Sequence, residues 1–324
     1  MSIGVVGLGK MGSRIAAKLL ADGHELVVWN RSEAPIEELK SKIQNHKFQI
    51  AKTIEDLINK LEKPRVIWLM LPAHSTDSAS SLQAGSGRAG SATEEVLEEV
   101  SRFIEKGDTV IDGGNSYYKD TEKRYQDFKK KGIKFLGIGV SGGIIAEKEG
   151  YPMMVGGDKN AYEFIKPILD ALAKPNGGFE YFGEGGAGHF IKMVHNAIEY
   201  GTMQSIGEGF GVLEKSPYDL DLVKVAKLYQ KGTLVSGFMM ERTIEVLEKD
   251  SRLSKITGII GKASGETIWA VEEAKKNNLP IEIIQRSLEI RNKSQTNLKI
   301  QRSFAARMVS ALRNAFGGHS VSQA

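Results

Sequence analysis

Residues Ser2–Gly12 read SIGVVGLGKMG, a short apolar run that ends in a Gly7-x-Gly9-x-x-Gly12 spacing, and a helical pattern follows through Ile15, Leu19 and Leu20. This spacing marks a dinucleotide site when it joins a strand to a helix, as it does here. Gly7 permits the tight turn, Gly9 lets the backbone approach a pyrophosphate, and Gly12 lets the helix sit close on the strand. Leu8, Lys10 and Met11 complete the turn, and the helix N-terminus faces the phosphates. A second strand, Glu25–Trp29, ends in Asn30-Arg31-Ser32. A carboxylate there would hold a ribose 2′-hydroxyl. Arg31 instead suits a 2′-phosphate, with Asn30 and Ser32 as hydrogen-bonding neighbours. NADP is the expected cofactor, with NAD as the second choice.

Further strands are expected at Val66–Leu71, Thr109–Asp112 and Ile133–Gly137, separated by helices over Ile54–Leu61, Thr93–Ile104 and Tyr118–Lys131. Alternating strands and helices imply a doubly wound, mostly parallel sheet of the Rossmann type. Ligands gather beyond the carboxyl ends of such strands, so Leu71 and Asn115 join the candidate cofactor residues. The stretch 74–92 breaks the rhythm: thirteen of its nineteen residues are Ser, Ala or Gly, which reads as an inserted flexible loop.

A chain of 324 residues with 41% hydrophobic composition can bury two cores. The formal charge of +4 is small and dispersed, so nucleic acid is not an expected partner. With no cysteine there is no thiol nucleophile, disulfide or cysteine-based zinc site, and the six histidines show no metal spacing; no metal is expected. No apolar stretch is long enough to span a membrane and no signal peptide is evident, so the expectation is a cytoplasmic protein.

Three later motifs carry chemistry. Ile111-Asp112-Gly113-Gly114-Asn115-Ser116 and Gly139-Val140-Ser141-Gly142-Gly143 follow expected strands. Their glycines allow a ligand to touch backbone, and Asn115 and Ser141 can bind hydroxyls or a carboxylate. The third, Gly186–Gln204, reads GAGHFIKMVHNAIEYGTMQ and places Lys192, His195, Asn196, Glu199, Tyr200 and Met203 along one stripe of a helix. The other faces carry Phe190, Ile191, Met193, Val194, Ala197 and Ile198, which predicts a buried helix. Taken alone, the stripe fits either a cleft lining or a solvated face.

Together, IDGGNS, GVSGG and GHFIKMVHNAIEYG make the chain similar to the 6-phosphogluconate dehydrogenase family, in its shorter bacterial form, within the β-hydroxyacid dehydrogenases. The resemblance covers the whole chain outside 74–92. It implies that Lys192 takes the proton of the substrate 3-hydroxyl as hydride leaves, giving a 3-keto acid that loses carbon dioxide. Lys192 must be neutral to do so, which calls for burial or a nearby positive charge. Glu199 matches the acid that protonates carbon 1 to give ribulose 5-phosphate, and Asn196 matches a residue that orients the hydroxyl. Substrate contacts are implied for Asn115, Ser141, Gly142, Gly143, His195, Asn196, Tyr200, Arg291, Arg313 and His319. Arg313 and His319, in RNAFGGH, match a tail that reaches into a partner subunit, so a homodimer or homotetramer is implied.

The expected architecture is an α/β N-terminal doubly wound sheet domain over 1–180 and an all-α C-terminal substrate and dimerisation domain over 181–324. Helical segments are read around Leu220–Tyr229, Thr243–Leu247, Thr267–Lys275, Ile281–Arg291 and Ser303–Ala315, with Pro217 and Pro280 at breaks or starts. One departure touches the site. Where the family has Gly, Lys or Arg, then Trp-Thr, this chain reads Thr267-Ile268-Trp269-Ala270, without the basic residue. Two other readings stay open: another β-hydroxyacid dehydrogenase, such as one acting on 3-hydroxyisobutyrate, and a non-catalytic NADP-binding protein.

Overall fold

The computed structural model describes residues 1–43, 48–72, 92–263 and 265–322. The expected loop at 74–92 lies outside the described residues, except Ala92, which opens a helix. The chain divides into two units, Met1–Met193 and Val194–Ala324. The sequence reading placed the change at 180/181; the division falls later, inside one long helix whose first turns pack on the sheet.

The first unit begins β1 (Ser2–Val6), α1 (Lys10–Ala21), β2 (Glu25–Trp29), α2 (Ala34–Lys42), β3 (Phe48–Ile50) and α3 (Ile54–Asn59). It continues β4 (Val66–Leu69), α4 (Ala92–Val100), β5 (Thr109–Asp112), α5 (Tyr118–Lys130), β6 (Lys134–Val140) and α6 (Ala146–Glu149). β7 (Pro152–Gly157), α7 (Lys159–Ala173) and β8 (Gly178–Tyr181) close the sheet. The strand order is β3-β2-β1-β4-β5-β6-β7-β8, with every pair parallel except β6 and β7. Sequence reading missed β3, β7 and β8, and it extended β4 to Leu71 where the ladder stops at Leu69.

Alternation along the strands builds two cores. In β1 and β4, Ile3, Val5, Val66 and Trp68 point to one face, under α1, α2 and α7. Val6, Ile67 and Leu69 point to the other, under α3, α4 and α5. Both faces are covered, which is why these strands are apolar at every position. The order reverses between β1 and β4, so the switch point lies at the mouth of the Gly7–Gly12 turn.

The next helix, α8, runs Ala187–Glu214 and crosses the division at Met193. Its first turns explain the glycines of β6. Phe135, Gly137 and Gly139 share one strand face. A Cβ on Gly137 would meet the Thr121 and His189 side chains, and one on Gly139 would overlap Lys192. Gly188 in turn packs on the backbone of Gly137, Met154 and Gly156. Side chains are missing from both surfaces, so helix and sheet come close enough to hold the Lys192 stem on β6.

In the second unit follow α9 (Leu222–Tyr229), α10 (Phe238–Lys249), α11 (Gly265–Lys276), α12 (Glu282–Lys293), α13 (Leu298–Gln301) and α14 (Phe304–Gly317). All are helices, as expected, although α10 is longer than its predicted segment and α13 was not foreseen. Their core gathers Met203, Phe210, Leu222, Met240, Leu247 and Leu312. Among the described residues no helix is long and apolar enough to cross a membrane.

One expectation for α8 fails. Ile198, taken as part of a buried apolar surround, is 57% exposed, while Lys192 and Tyr200 on the polar stripe are buried. Ile198, Thr202, Ser205, Gly209 and Val212 form an exposed line along the helix. The polar groups turn inward because they have partners there.

Candidate active site

The cofactor end is made of backbone. Gly7 has φ +94°, in the region that favours glycine, and its N–H donates to the Trp29 carbonyl at 2.9 Å. A Cβ on Gly12 would strike the Gly7 carbonyl, so the third glycine lets α1 start directly against the turn. Gly9, the N-cap of α1, makes no side-chain cap, and a Cβ placed on it meets nothing within 4 Å among the described residues. The helix thus starts, at its positive end, directly after a glycine whose Cα side is open. A pyrophosphate fits this cradle.

Asn30 is used internally. Its Oδ1 accepts from Leu8 N at 2.8 Å, and its Nδ2 donates to the Ser32 carbonyl and hydroxyl at 2.9 and 3.1 Å. Asn30 therefore ties the glycine turn to the β2 end. Arg31 is 71% exposed at its side chain and pairs with Glu95 at 3.0 Å. Three strand ends meet at Leu71: a Cβ on Gly7 would touch its side chain and one on Gly114 its carbonyl, at 2.9 and 2.7 Å.

Beyond β5, the two glycines first serve their neighbours. A Cβ on Gly113 would strike the Trp68 indole, and Gly114 is pressed on Leu71. The Asp112 carboxylate, buried, accepts from Gly114 N at 3.1 Å, Ser116 Oγ at 2.7 Å and Arg124 NH1 at 2.7 Å. Arg124 also donates to Glu94 at 2.6 and 2.8 Å. Burial works against the Arg124 charge, but Asp112 and Glu94 more than offset it, and its pKa stands above the ordinary value. This network fixes the loop and leaves Asn115 exposed at its tip. After β6, Ser141 N donates to the Pro152 carbonyl at 2.9 Å, and Gly142 and Gly143 turn with φ +91° and +55°.

Lys192 is 6% exposed and lies against Gly139. One turn earlier, the buried His189 bonds Thr121 Oγ1 through Nδ1 at 2.7 Å, and burial lowers its pKa. The pair pins α8 to α5 just before the lysine.

The second unit supplies charge. Arg291, from α12, is 3% exposed, with its guanidinium carbon 3.7 Å from the Tyr200 ring centroid. Its Nε and NH1 are buried without a hydrogen-bond partner among the described residues. Burial first, then the charge of Arg313, pushes Arg291 down to about 8, while Glu199 pulls it back up. Arg313, from α14, is likewise lowered by burial and raised by Glu199. A guanidinium keeps its proton in proteins, so these opposing pressures express a demand for negative charge. Arg313 donates to the Ile260 carbonyl and presses on Gly261, whose φ is +86°.

Tyr200, Glu199, Arg291 and Arg313 therefore meet within one unit of one chain. Gly318 caps α14 with φ +60°, Asn314 Nδ2 donates to the His319 carbonyl at 2.7 Å, and Thr257 N donates to Ser322 O at 2.9 Å. The tail folds back on its own unit, and His319 is exposed.

His195 and Asn196 are joined by a contact of 3.0 Å between Nδ1 and Oδ1. Asn196 Nδ2 donates to Glu266 Oε1 at 3.1 Å, and Thr267 Oγ1 reaches the Asn196 carbonyl at 3.5 Å. Sequence reasoning missed Glu266, since attention at this point fell on Ile268, which is half-buried. A carboxylate in the first turn of a helix, directly before the apolar Trp269–Val271 run, was the available signal.

A dinucleotide cradle at the switch point of a doubly wound sheet, a buried lysine at a strand end and an all-helical second unit define a nicotinamide-dinucleotide-dependent dehydrogenase. The profile described as the NAD binding domain of 6-phosphogluconate dehydrogenase matches residues 2–185, and that of the 6-phosphogluconate dehydrogenase C-terminal domain matches 188–324. The chain belongs to the 6-phosphogluconate dehydrogenase family. It is 38% identical over 99% of its length to YqeC of Bacillus subtilis (strain 168), covering 99% of a protein whose own assignment to 6-phosphogluconate dehydrogenase is provisional. It is 32% identical to the NAD(+)-dependent, decarboxylating 6-phosphogluconate dehydrogenase of Haloferax volcanii, over 100% of this chain and 99% of that one. Plasmodium falciparum 6-phosphogluconate dehydrogenase, solved apo and with NADP+ or 6-phosphogluconate, superposes with TM-score 0.77 at 31% identity. That superposition covers 91% of this chain and 62% of the Plasmodium chain.

Proposed function

We propose that this protein catalyses the oxidative decarboxylation of 6-phosphogluconate to ribulose 5-phosphate and carbon dioxide, with NADP as the preferred acceptor, in the cytoplasmic pentose phosphate pathway and gluconate use. The observation that carries this reading is the cluster of Tyr200, Arg291 and Arg313 around Glu199. A buried Arg291 with two unpartnered donor atoms, beside a half-buried Arg313, suits a phosphate monoester. A small unphosphorylated hydroxyacid would leave the Arg291 donors unsatisfied.

The turn Gly7–Gly12 would hold the dinucleotide, with Leu71 and Asn115 at the adjoining strand ends and Arg31 and Ser32 on the 2′-phosphate. The nicotinamide, when bound, supplies the hydride acceptor. Lys192 takes the 3-hydroxyl proton as the carbon–hydrogen pair leaves as hydride, and then, protonated, donates to the new carbonyl while carbon dioxide departs. Glu199 delivers a proton to carbon 1 of the resulting enediol. Asn196 and His195 orient the hydroxyl, and Asn115, Ser141, Gly142 and Gly143 receive the carboxylate end. Metal assistance is not required, since a 3-keto acid decarboxylates readily once its carbonyl is polarised.

Arg313 is read as serving its own chain, because it already stands beside Arg291 and Glu199. The exposed line from Ile198 to Val212 supports a homodimer or a higher homo-oligomer in which a second copy covers α8. Purified protein offered 6-phosphogluconate, gluconate and 3-hydroxyisobutyrate in parallel tests the substrate class. Turnover of 6-phosphogluconate far above the other two is expected. A preference for 3-hydroxyisobutyrate would move the protein to that branch of the β-hydroxyacid dehydrogenases, and turnover of none would support a non-catalytic NADP-binding role.

A further inference from the structure

We propose that Glu266 is a positioning residue that sets the tautomer of His195 by fixing the Asn196 amide. The inference deepens the functional reading above, which supplies the roles of Asn196 and His195, but its geometry stands within the helical unit alone.

An asparagine amide has one accepting and one donating end, and the two can exchange by rotation. A carboxylate only accepts. Glu266, 7% exposed, lies 3.1 Å from Asn196 Nδ2, so the NH2 end of the amide must face it. Thr267 ties the Asn196 backbone to the same turn of α11. The Oδ1 end is thereby committed to His195 Nδ1, at 3.0 Å. An oxygen there can only accept, so Nδ1 carries the hydrogen and Nε2 holds the lone pair. His195 then meets a substrate hydroxyl as an acceptor. A sugar acid presents hydroxyls that donate, and the relay Glu266–Asn196–His195 selects the ring form that receives them. If the amide were turned round, Nδ2 would face His195, the proton would move to Nε2, and a donor would oppose a donor.

The test uses full-length protein labelled with 15N-histidine, with the His195 signals identified by their loss in His195→Gln. Nitrogen–proton correlation spectra report which ring nitrogen is bare. Wild type is expected to show Nδ1 protonated and Nε2 bare. Glu266→Lys, which donates where the carboxylate accepts, is expected to turn the amide and move the proton to Nε2. Glu266→Gln keeps an accepting oxygen and is expected to preserve the Nδ1–H form and most of the turnover. Glu266→Leu should lower kcat about 10–100-fold, as loss of an outer partner does elsewhere, with KM less affected. If the lysine or leucine variant does not fold, Asn196→Ala must produce the same loss of Nδ1–H preference. An unchanged His195 tautomer in the folded variants, or a glutamine variant as impaired as leucine, overturns the relay. The spectra need no substrate, so a protein that turned over a different hydroxyacid would leave this result standing, and failure of the relay would leave the functional reading intact.

Discussion

The glycine turn of the sheet unit and the arginine cluster of the helical unit both suit phosphate, and they do so with different material. The turn offers backbone N–H groups at the start of α1, shaped by three glycines within six residues, with Lys10 as its one formal charge. The cluster offers a buried guanidinium from α12 and a half-buried one from α14, with Tyr200 of α8 stacked on the first and Glu199 of α8 acting on both. A backbone cradle holds a pyrophosphate by geometry and tolerates an empty state cheaply, because its donors can bind water. A buried guanidinium with unmet donors, as at Arg291, is costly when empty. The helical end is therefore where substrate binding should release the most free energy and where specificity should reside.

Breaking the reacting end comes first. Lys192→Met should lower turnover by about 100- to 10,000-fold while leaving dinucleotide binding unchanged in a fluorescence titration. A near-normal rate would remove Lys192 as the base. At the arginine cluster, Arg291→Met should cost about 2–5 kcal/mol in affinity for the phosphorylated substrate. Its effect on gluconate should be far smaller, and equal losses on both would place Arg291 outside the phosphate site.

Whether the cluster belongs to one chain is sharpened by mixing subunits. Hetero-oligomers of Glu199→Gln with Arg313→Ala should stay inactive, since each chain carries a broken cluster of its own. Recovery towards half of wild-type activity would mean that Arg313 crosses to a partner. The mildest change concerns the cofactor rim. Glu95→Gln frees Arg31 from an exposed ion pair and should shift stability by no more than about 0.5 kcal/mol in thermal melts. It should also tighten NADP relative to NAD, and an unaltered cofactor ratio would dissociate Arg31 from the 2′-phosphate.

The same contrast explains what was legible beforehand. The Gly7–Gly12 turn could be read because backbone conformation is dictated by residues adjacent in sequence, and Gly7 and Gly12 show the turn and the close packing expected of them. β7 and β8 were missed, since Met153 to Gly157 carries two glycines and Gly178 to Tyr181 is short and half-exposed, which weakens the alternation that marks a strand. The arginine cluster draws on residues 200, 291 and 313, and nothing local says that such distant side chains meet; only the resemblance named them. Glu266 was invisible for a similar reason: its meaning lies in the amide it faces on another helix. Gly113 and Gly114 were read as openings for a ligand, but the packing of Trp68 and Leu71 already requires them.

The central claim is that the protein couples oxidation of 6-phosphogluconate to its decarboxylation. It is tested most directly by supplying 6-phosphogluconate labelled at carbon 1 and following reduced cofactor and released carbon dioxide in the same reaction. The account predicts labelled carbon dioxide in step with reduced NADP, one for one. Reduced cofactor without labelled carbon dioxide would contradict it.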